Sequence, residues 1–509
     1  MWNMLKKMIL SRRLIVIILL LLQIAILTVP FYFLGQYSTT IEIVMRSVSV
    51  IVVIYIINRR DKPAYKITWI ITILIFPVFG GLLYLVLRFQ STSGRMKKNF
   101  VHYDKTRRDA LDADPDDAKK MADEYPALVN RINYLTKTAG FRVCDNTEAT
   151  FFSPGADFYP EFLKALEGAK KYIFIEFFII SEGSMWSTTL DILKRKVAEG
   201  VEVRLMYDDV GSVGCLPFRY GQSLAQYGIK CQIFNPFRPL WTSVQNNRDH
   251  RKIVVVDGEV AFTGGVNIAD EYVGIIERFG EWKDSAVMFR GDAVWSFTVM
   301  FLEMWNAVAR KNEDYGAFRA ETALLNSARG YVIPYSDSPH SEENVSEHVY
   351  MQMITGAQRY MYIETPYLIL DDGMLSAMIL AAKSGVEIKI ITPAIPDKKL
   401  VFMTTRSYYK PLIDVGVKIY EFTPGFIHSK VAICDDSIAA VGTPNFDFRS
   451  LYLHYECGAL MVDTPAVDAA KQDFLATLPR CREITAAEVN RNVFVRTFQS
   501  ILRVFAPLF

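Results

Sequence analysis

Hydrophobic and polar positions divide this 509-residue chain into an apolar start and a long remainder in which short apolar runs alternate with amphipathic stretches. Leu14–Leu34 is almost wholly apolar, interrupted by Gln23 and Thr28, and it follows Lys6, Lys7, Arg12 and Arg13. About 20 apolar residues span a bilayer, and the run exceeds the roughly 7 to 15 of a signal peptide, with no small-x-small cleavage site behind it. It is expected to be a retained anchor. Residues 41–57 form a second apolar segment, interrupted by Glu42 and Arg46, and 67–87 a third, broken by Pro77, Gly80 and Gly81. Basic residues flank every entry point: the N-terminus, then Arg59, Arg60, Lys62 and Lys66, then Arg88, Arg95, Lys97 and Lys98. Cytoplasmic loops collect Lys and Arg. The flanks therefore fit a hairpin of the first two segments and a third that dips in and returns, leaving the rest of the chain cytoplasmic. Two or three full spans, with one basic loop on the far side, is the alternative.

From 91 to about 130 the chain is polar and charged, with RRDALDADPDDAKKMADE, and reads as a linker carrying a short solvated helix. Beyond it the pattern repeats. LEGAKKYIFIEFF (Leu166–Phe178) matches ITGAQRYMYIETP (Ile354–Pro366), AEGVEVRLM (198–206) matches KSGVEIKII (383–391), and QYGIKCQIF (226–234) matches DVGVKIYEF (414–422). Each half runs strand, helix, Gly, strand, helix, Gly, strand. Helices that end at Gly before Val/Ile-rich strands give an α/β fold. The expectation is two halves, each a mainly parallel sheet flanked by helices, related by a pseudo-two-fold and sharing one site, behind an N-terminal membrane-embedded helical region. The boundaries read as a membrane anchor 1–90, linker 91–130, first half 131–320, second half 321–485 and amphipathic tail 486–509. In that tail Phe494, Phe498, Ile501, Leu502 and Phe505 recur near helical spacing with Arg496 and Arg503 between them, which suits a core helix or an interfacial membrane helix.

Composition narrows the class. With 57 basic and 55 acidic residues the net charge is +2, so no global field favours nucleic acid. Mean hydropathy is +0.15, high for a soluble protein. The cysteines at 144, 215, 231, 434, 457 and 481 form no CxxC pair or zinc spacing and read as core thiols of a reducing compartment.

The strongest signal is a motif that occurs twice. HRKIVVVDGEVAFTGGVN (His250–Asn267) returns as HSKVAICDDSIAAVGTPN (His428–Asn445), each H-x-K-x4-D-x6-G-[GT]-x-N, with His and Asp both displaced by 178 residues. Four fixed residues at about 5% each match roughly once in 10^5 starting positions. The apolar runs 253–256 and 431–434 read as strands, so His and Lys at i and i+2 share a face. Two such faces would gather two imidazoles and two ammonium groups around a phosphodiester. Asp257 and Asp435 lie an odd number of positions from their histidines and so fall on the other face of a regular strand. The first half carries about ten extra residues before its motif, including PFRPLW, read as a loop over the site or against lipid.

This duplicated motif resembles the signature of the phospholipase D superfamily. GGVN after the first copy, NFDFRS after Gly442, the basic NNRDHRK around His250 and the apolar start narrow the resemblance to bacterial cardiolipin synthases, over nearly all of the chain. Two positions depart from the pattern: Thr443 stands where Ser or Gly is frequent, and His454 where Asn is common. The resemblance implies phosphatidyl transfer between phosphatidylglycerol molecules through a phosphatidyl-histidine, with His250 as nucleophile and His428 as acid and base. The catalytic set is then His250, Lys252, Asp257, His428, Lys430 and Asp435. The lysines neutralise charge on the transferring phosphoryl group, and Asn267 and Asn445 donate hydrogen bonds to it. Asp284 and Glu456 occupy matching places, each leading a strand, and could each accept a histidine N–H.

No metal ligand set is expected, because a lysine accompanies each histidine, and no cofactor. Arg248, Arg251 and Arg449 could meet a lipid phosphate or form ion pairs, and His102, His340, His348 and His454 read as surface or core residues. The implied partners are phosphatidylglycerol and other membrane phospholipids, with no nucleic acid; the implied location is the cell membrane, multi-pass, with the catalytic halves on the cytoplasmic face. A hydrolase of the same superfamily, or a non-catalytic membrane scaffold, are the other readings.

Overall fold

The computed structural model describes residues 39–77, 80–88, 92–111, 115–217, 219–236, 246–490 and 493–508. Leu14–Leu34 and most of PFRPLW lie outside them. The first half contributes strands β1 (Thr147–Phe152), β2 (Tyr172–Phe177), β3 (Glu202–Asp208), β4 (Lys230–Phe234), β5 (Ile253–Val256), β6 (Val260–Gly264), β7 (Glu281–Lys283) and β8 (Ala286–Gly291). The second contributes β9 (Tyr331–Asp337), β10 (Tyr360–Glu364), β11 (Glu387–Pro393), β12 (Lys418–Phe422), β13 (Gly425–Ile427), β14 (Val431–Cys434), β15 (Ile438–Gly442), β16 (Glu456–Val462) and β17 (Cys481–Glu483). The sheet orders are β1-β8-β6-β5-β2-β3-β4 and β9-β16-β15-β14-β10-β11-β12-β17, the same order twice with one added edge strand.

The sheets are mixed, which corrects the mainly parallel expectation. Within these two sheets the parallel pairs are those of β2–β3–β4 and β10–β11–β12. These are the Gly-punctuated strand and helix repeats, with helices such as Ser184–Ala198 and Asp372–Lys383 crossing between strands. The motif strands β5 and β14 instead lie antiparallel to β2 and β10. A three-residue connection, 257–259 or 435–437, then sends each back antiparallel as β6 or β15. Parallel strands need a crossover of a dozen or more residues, and a three-residue connection leaves no room for one.

That turn accounts for the motif aspartates. Asp257 and Gly258 have φ of 54° and 71°, and Asp435 and Asp436 52° and 65°, so the first two residues of each connection are left-handed, the backbone of a tight turn whose twist matches its strands. Asp tolerates this region better than most side chains. Its carboxylate also caps the start of the neighbouring strand. Asp257 accepts the N–H groups of Lys170, Lys171 and Tyr172 at 2.6, 2.7 and 2.8 Å, and Asp435 those of Gln358, Arg359 and Tyr360 at 2.7, 2.8 and 3.0 Å. Asp257→Ala leaves three N–H groups without their acceptor and is expected to cost about 3 kcal/mol. Chemical denaturation would show the loss while turnover per folded molecule stays near wild type. Unchanged stability with lost turnover would place the carboxylate in the chemistry.

Helix Ala293–Ala309 is apolar on every side and its residues 293–306 are all buried, the signature of a helix enclosed by the core. It packs on β5, β6 and β8 and on β9 of the other half, so the two sheets share one continuous apolar core.

Helices α1 (Thr39–Asn58), α2 (Pro63–Ile75) and α3 (Gly80–Arg88) precede the two halves. The third apolar segment is thus two short helices broken at Phe76–Pro77. At 1.5 Å per residue they are about 20 and 14 Å long. A Cβ on Gly80 would stand 2.8 Å from the Ile73 Cα, and one on Gly81 would stand 2.5 Å from the Ser49 Oγ, so the glycines let α3 close against α2 and α1. No helix among the described residues is long and apolar enough to cross a membrane. Lys62, at the start of α2, pairs with Glu347 at 2.6 Å and lies 4.8 Å over the Tyr452 ring, and Thr68 donates to the carbonyl of Val504. The α1–α3 unit therefore docks on the second half and on helix Val493–Val504.

Candidate active site

The chain reaches each histidine from a strand-like segment that pairs with the opposite half. β13 runs parallel to β7, and Asp249 forms the equivalent bridge with Tyr455. The His428 N–H donates to the carbonyl of Lys283 at 2.7 Å, and the His250 N–H to that of Tyr455 at 2.9 Å. Residues 284 and 456 follow directly, so each half delivers its carboxylate to the other half's imidazole. His250 Nδ1 lies 2.9 Å from Glu456, and His428 Nδ1 lies 2.6 Å from Asp284. Neither half assembles this site alone.

The two ends differ. In the first half a Cβ on Gly265 would fall 2.0 Å from an Asp284 oxygen, so glycine there makes room for the carboxylate. In the second half that position is Thr443, whose hydroxyl donates to Glu456 and accepts the Cys457 N–H. The His428 ring is enclosed by Tyr272, Trp282 and Phe426, with ring centres at 5.4, 5.5 and 5.9 Å. His250 meets only Phe178 at 5.0 Å and His454 at 5.7 Å among the described aromatic rings.

Burial dominates the electrostatics. It lowers the His250 pKa to about 3 against the pull of Glu456, so the ring is neutral. His428 is pushed well below its ordinary value by burial and then by Lys430. Glu456 is buried, which raises a carboxylate, yet contact with His250 holds it below the usual range, whereas burial lifts Asp284 to about 6 against the pull of Lys430. The two histidines therefore face carboxylates of different basicity. Burial also lowers Lys252 to about 8 and Lys430 to about 7, although Glu456 and Asp284 act on both in the opposite sense. Each lysine feels both carboxylates, which places the two His-Lys pairs near one another. Lys252 Nζ donates to the His250 carbonyl at 2.7 Å, and Lys430 Nζ sits against both the carbonyl and Nδ1 of His428.

Other expected residues fall elsewhere. Asp257 and Asp435, grouped with the catalytic set on their motif, instead cap the starts of β2 and β10 as described above, because an odd spacing and a left-handed turn carry them away from the histidine face. Arg251 is buried against Glu176 at 2.6 Å, and Arg248 against Asp208 at 2.8 Å; both are core ion pairs, not lipid contacts. Asn267 accepts the Ile179 N–H at 3.0 Å and donates to the Tyr272 hydroxyl at 2.8 Å, leaving one amide hydrogen for a ligand. Asn445 Oδ1 is buried without a hydrogen bond among the described residues. Thr443 and His454 were visible only as departures from the family pattern, and nothing in their spacing joins them to Glu456 or His250.

Paired His-Lys strands meeting across a pseudo-two-fold, each histidine braced by a carboxylate from the far side, define a phospholipase D-like phosphodiester site. A family model described as "Cardiolipin synthase, PLD-like domain" matches residues 162–278 and 350–478, and one described as "Phospholipase_D-nuclease N-terminal" matches 47–88. An uncharacterized protein of Streptococcus mutans is 43% identical, covering 90% of this chain and 99% of that one. Cardiolipin synthase 2 of Bacillus cereus is 34% identical over 90% of this chain and 88% of its own. The phosphatidylserine synthase structure from Haemophilus influenzae superposes with a TM-score of 0.53 at 15% identity, covering 71% of this chain and 93% of that one, and shows the same fold. The chain belongs to the cardiolipin synthase family of phospholipase D-like proteins, and it is a phosphatidyltransferase.

Proposed function

We propose that the protein is a membrane-anchored cardiolipin synthase, which moves a phosphatidyl group from one phosphatidylglycerol to another and releases glycerol. The crosswise bracing carries this reading, because the carboxylate that occupies each Nδ1 leaves Nε2 for chemistry. Lys252 and Lys430 hold the diester, and neutral His250 attacks phosphorus, forming an N–P bond as the P–O bond to glycerol breaks. His428 gives the departing oxygen its proton. A phosphodiester brought against the lysines adds negative charge beside His428, which raises its pKa toward the protonated form. The hydroxyl of a second phosphatidylglycerol then loses its proton to His428 and attacks phosphorus, which frees His250. In this reading Asn267 and Asn445 donate to the phosphoryl oxygens, Asp284 and Glu456 fix the imidazoles, and no metal or cofactor takes part. Purified protein in phosphatidylglycerol vesicles is expected to yield cardiolipin and glycerol. Phosphatidic acid and glycerol would instead identify a hydrolase.

The domain boundaries set out above belong to this reading, with 1–90 as anchor and 486–509 as membrane-facing tail. Apolar exposure supports it: Ile43, Val50, Ile51 and Ile54 of α1, Leu74 and Ile75 of α2, and Phe494, Phe498 and Ile501 of the C-terminal helix are all exposed. Large contiguous apolar surfaces mark membrane or protein contacts. The broken α2–α3 pair fits a segment that enters and returns, which keeps the catalytic halves cytoplasmic. Cysteines placed at Asn58 and Ser91 in a background lacking the native six are expected to resist an impermeant thiol reagent until cells are opened. Labelling of the Ser91 position alone in intact cells would put the catalytic halves outside.

A further inference from the structure

His454 takes no part in the reaction just described, yet it stands beside its nucleophile. It lies in the turn between helix Phe448–Tyr452 and β16, two residues before Glu456. Its ring centre is 5.7 Å from that of His250, and its Nδ1 is 3.8 Å from Glu456 Oε1. Both of its ring nitrogens are buried without a hydrogen bond among the described residues. Buried ring nitrogens left without a hydrogen bond are costly, and such groups call for an explanation. One ligand atom each from His250, His454 and Glu456 lies within 4.8 Å of the others.

Two imidazole nitrogens and an ionised carboxylate are a donor set that suits zinc and its neighbours in the first transition row, and three protein ligands leave one position open. Zinc with bonds of about 2.0 Å places its ligand atoms roughly 3.3 Å apart, so atoms now up to 4.8 Å apart close by about 1.5 Å as His454 swings in. His250 and Glu456 already meet that spacing at 2.9 Å. We infer that His250, His454 and Glu456 form a binding site for a divalent transition metal of the zinc class, and that the bound metal switches the enzyme off. The metal takes the lone pair of His250 Nδ1 in place of the proton shared with Glu456, and the neutral ring keeps its one proton by changing tautomer, so that the proton now sits on Nε2. Glu456 then binds the metal instead of bracing the imidazole, and Nε2, now protonated, has no lone pair left to attack phosphorus. The binding site stands on geometry alone; the switch rests on the nucleophilic role proposed for His250.

Cobalt(II) serves as the visible probe in titrations of the full-length protein in detergent, with zinc titrated in competition. Wild type is expected to give the absorption of a low-coordinate cobalt site that zinc displaces. His454→Asn, and His454→Gln as a second variant against misfolding, should weaken binding at least tenfold, since even outer partners of a ligand are worth about 10- to 100-fold. In the activity arm, zinc at saturating concentration should lower wild-type turnover by at least about tenfold, reversed by chelator, with both variants active and insensitive. No such absorption in wild type, or absorption unchanged in both variants, overturns the site. A cobalt site lost in the variants combined with zinc-insensitive wild-type turnover keeps the site but contradicts both the switch and the role of His250.

Discussion

His250→Ala is expected to abolish phosphatidyl transfer, lowering turnover by a factor on the order of 10^4 to 10^6, comparable to removing the nucleophile from other covalent enzymes. The size of the effect follows from the position of the ring. Its pKa, lowered to about 3 by burial, keeps a lone pair available at neutral pH, and the ionised Glu456 at 2.9 Å orients the donor nitrogen. The fold should survive: the side chain bonds only to Glu456 among the described contacts, and the backbone bridge to Tyr455 does not depend on it. Circular dichroism and membrane extraction should match wild type. Residual transfer within tenfold of wild type would remove His250 from the reaction.

The second large effect concerns the lysines. Lys252→Met and Lys430→Met should each lower turnover by about 10^2- to 10^3-fold, the usual consequence of losing one group that stabilises developing charge. Methionine keeps most of the buried stem, so protein levels should change far less than rate. The same groups set the alkaline limb of the pH profile. A lysine with a depressed pKa is charged below that value and neutral above it, and burial places Lys252 near 8 and Lys430 near 7. The kcat/KM of wild type should therefore fall as pH rises through about 7 to 8, since that ratio reports the free enzyme. A flat profile to pH 10, or wild-type rates in either variant, would contradict the site.

Much of this molecule is legible in its sequence because it is written twice. The repeated Gly-punctuated units give the two halves, and the i, i+2 spacing of His and Lys puts them on one face of a strand. The limits are equally physical. Apolar runs show that β5 and β14 are strands but not their direction, which the Asp257-Gly258 and Asp435-Asp436 turns decide through backbone angles. Matching places for Asp284 and Glu456 suggest histidine partners, yet only tertiary structure reveals that each serves the opposite half. His454 has no spacing that ties it to His250, since 204 residues separate them along the chain. Arg248 and Arg251 look like headgroup ligands beside a catalytic strand, and their partners Asp208 and Glu176 come from β3 and β2, which only the fold brings near.

The covalent intermediate is the central claim, and trapping it is the most direct test. His428→Ala removes the group proposed to protonate the leaving oxygen, a role worth about 10^2- to 10^4-fold. A substrate whose leaving group needs no protonation, such as a phosphatidyl nitrophenol, should still react with this variant, and the adduct should accumulate because no base activates the acceptor. Mass spectrometry of the digested protein is expected to find the phosphatidyl group on the peptide containing His250 and to lose it in the His250→Ala, His428→Ala double variant. A phosphatidyl group on His428 in wild-type protein, with none on His250 in any variant, would contradict the account.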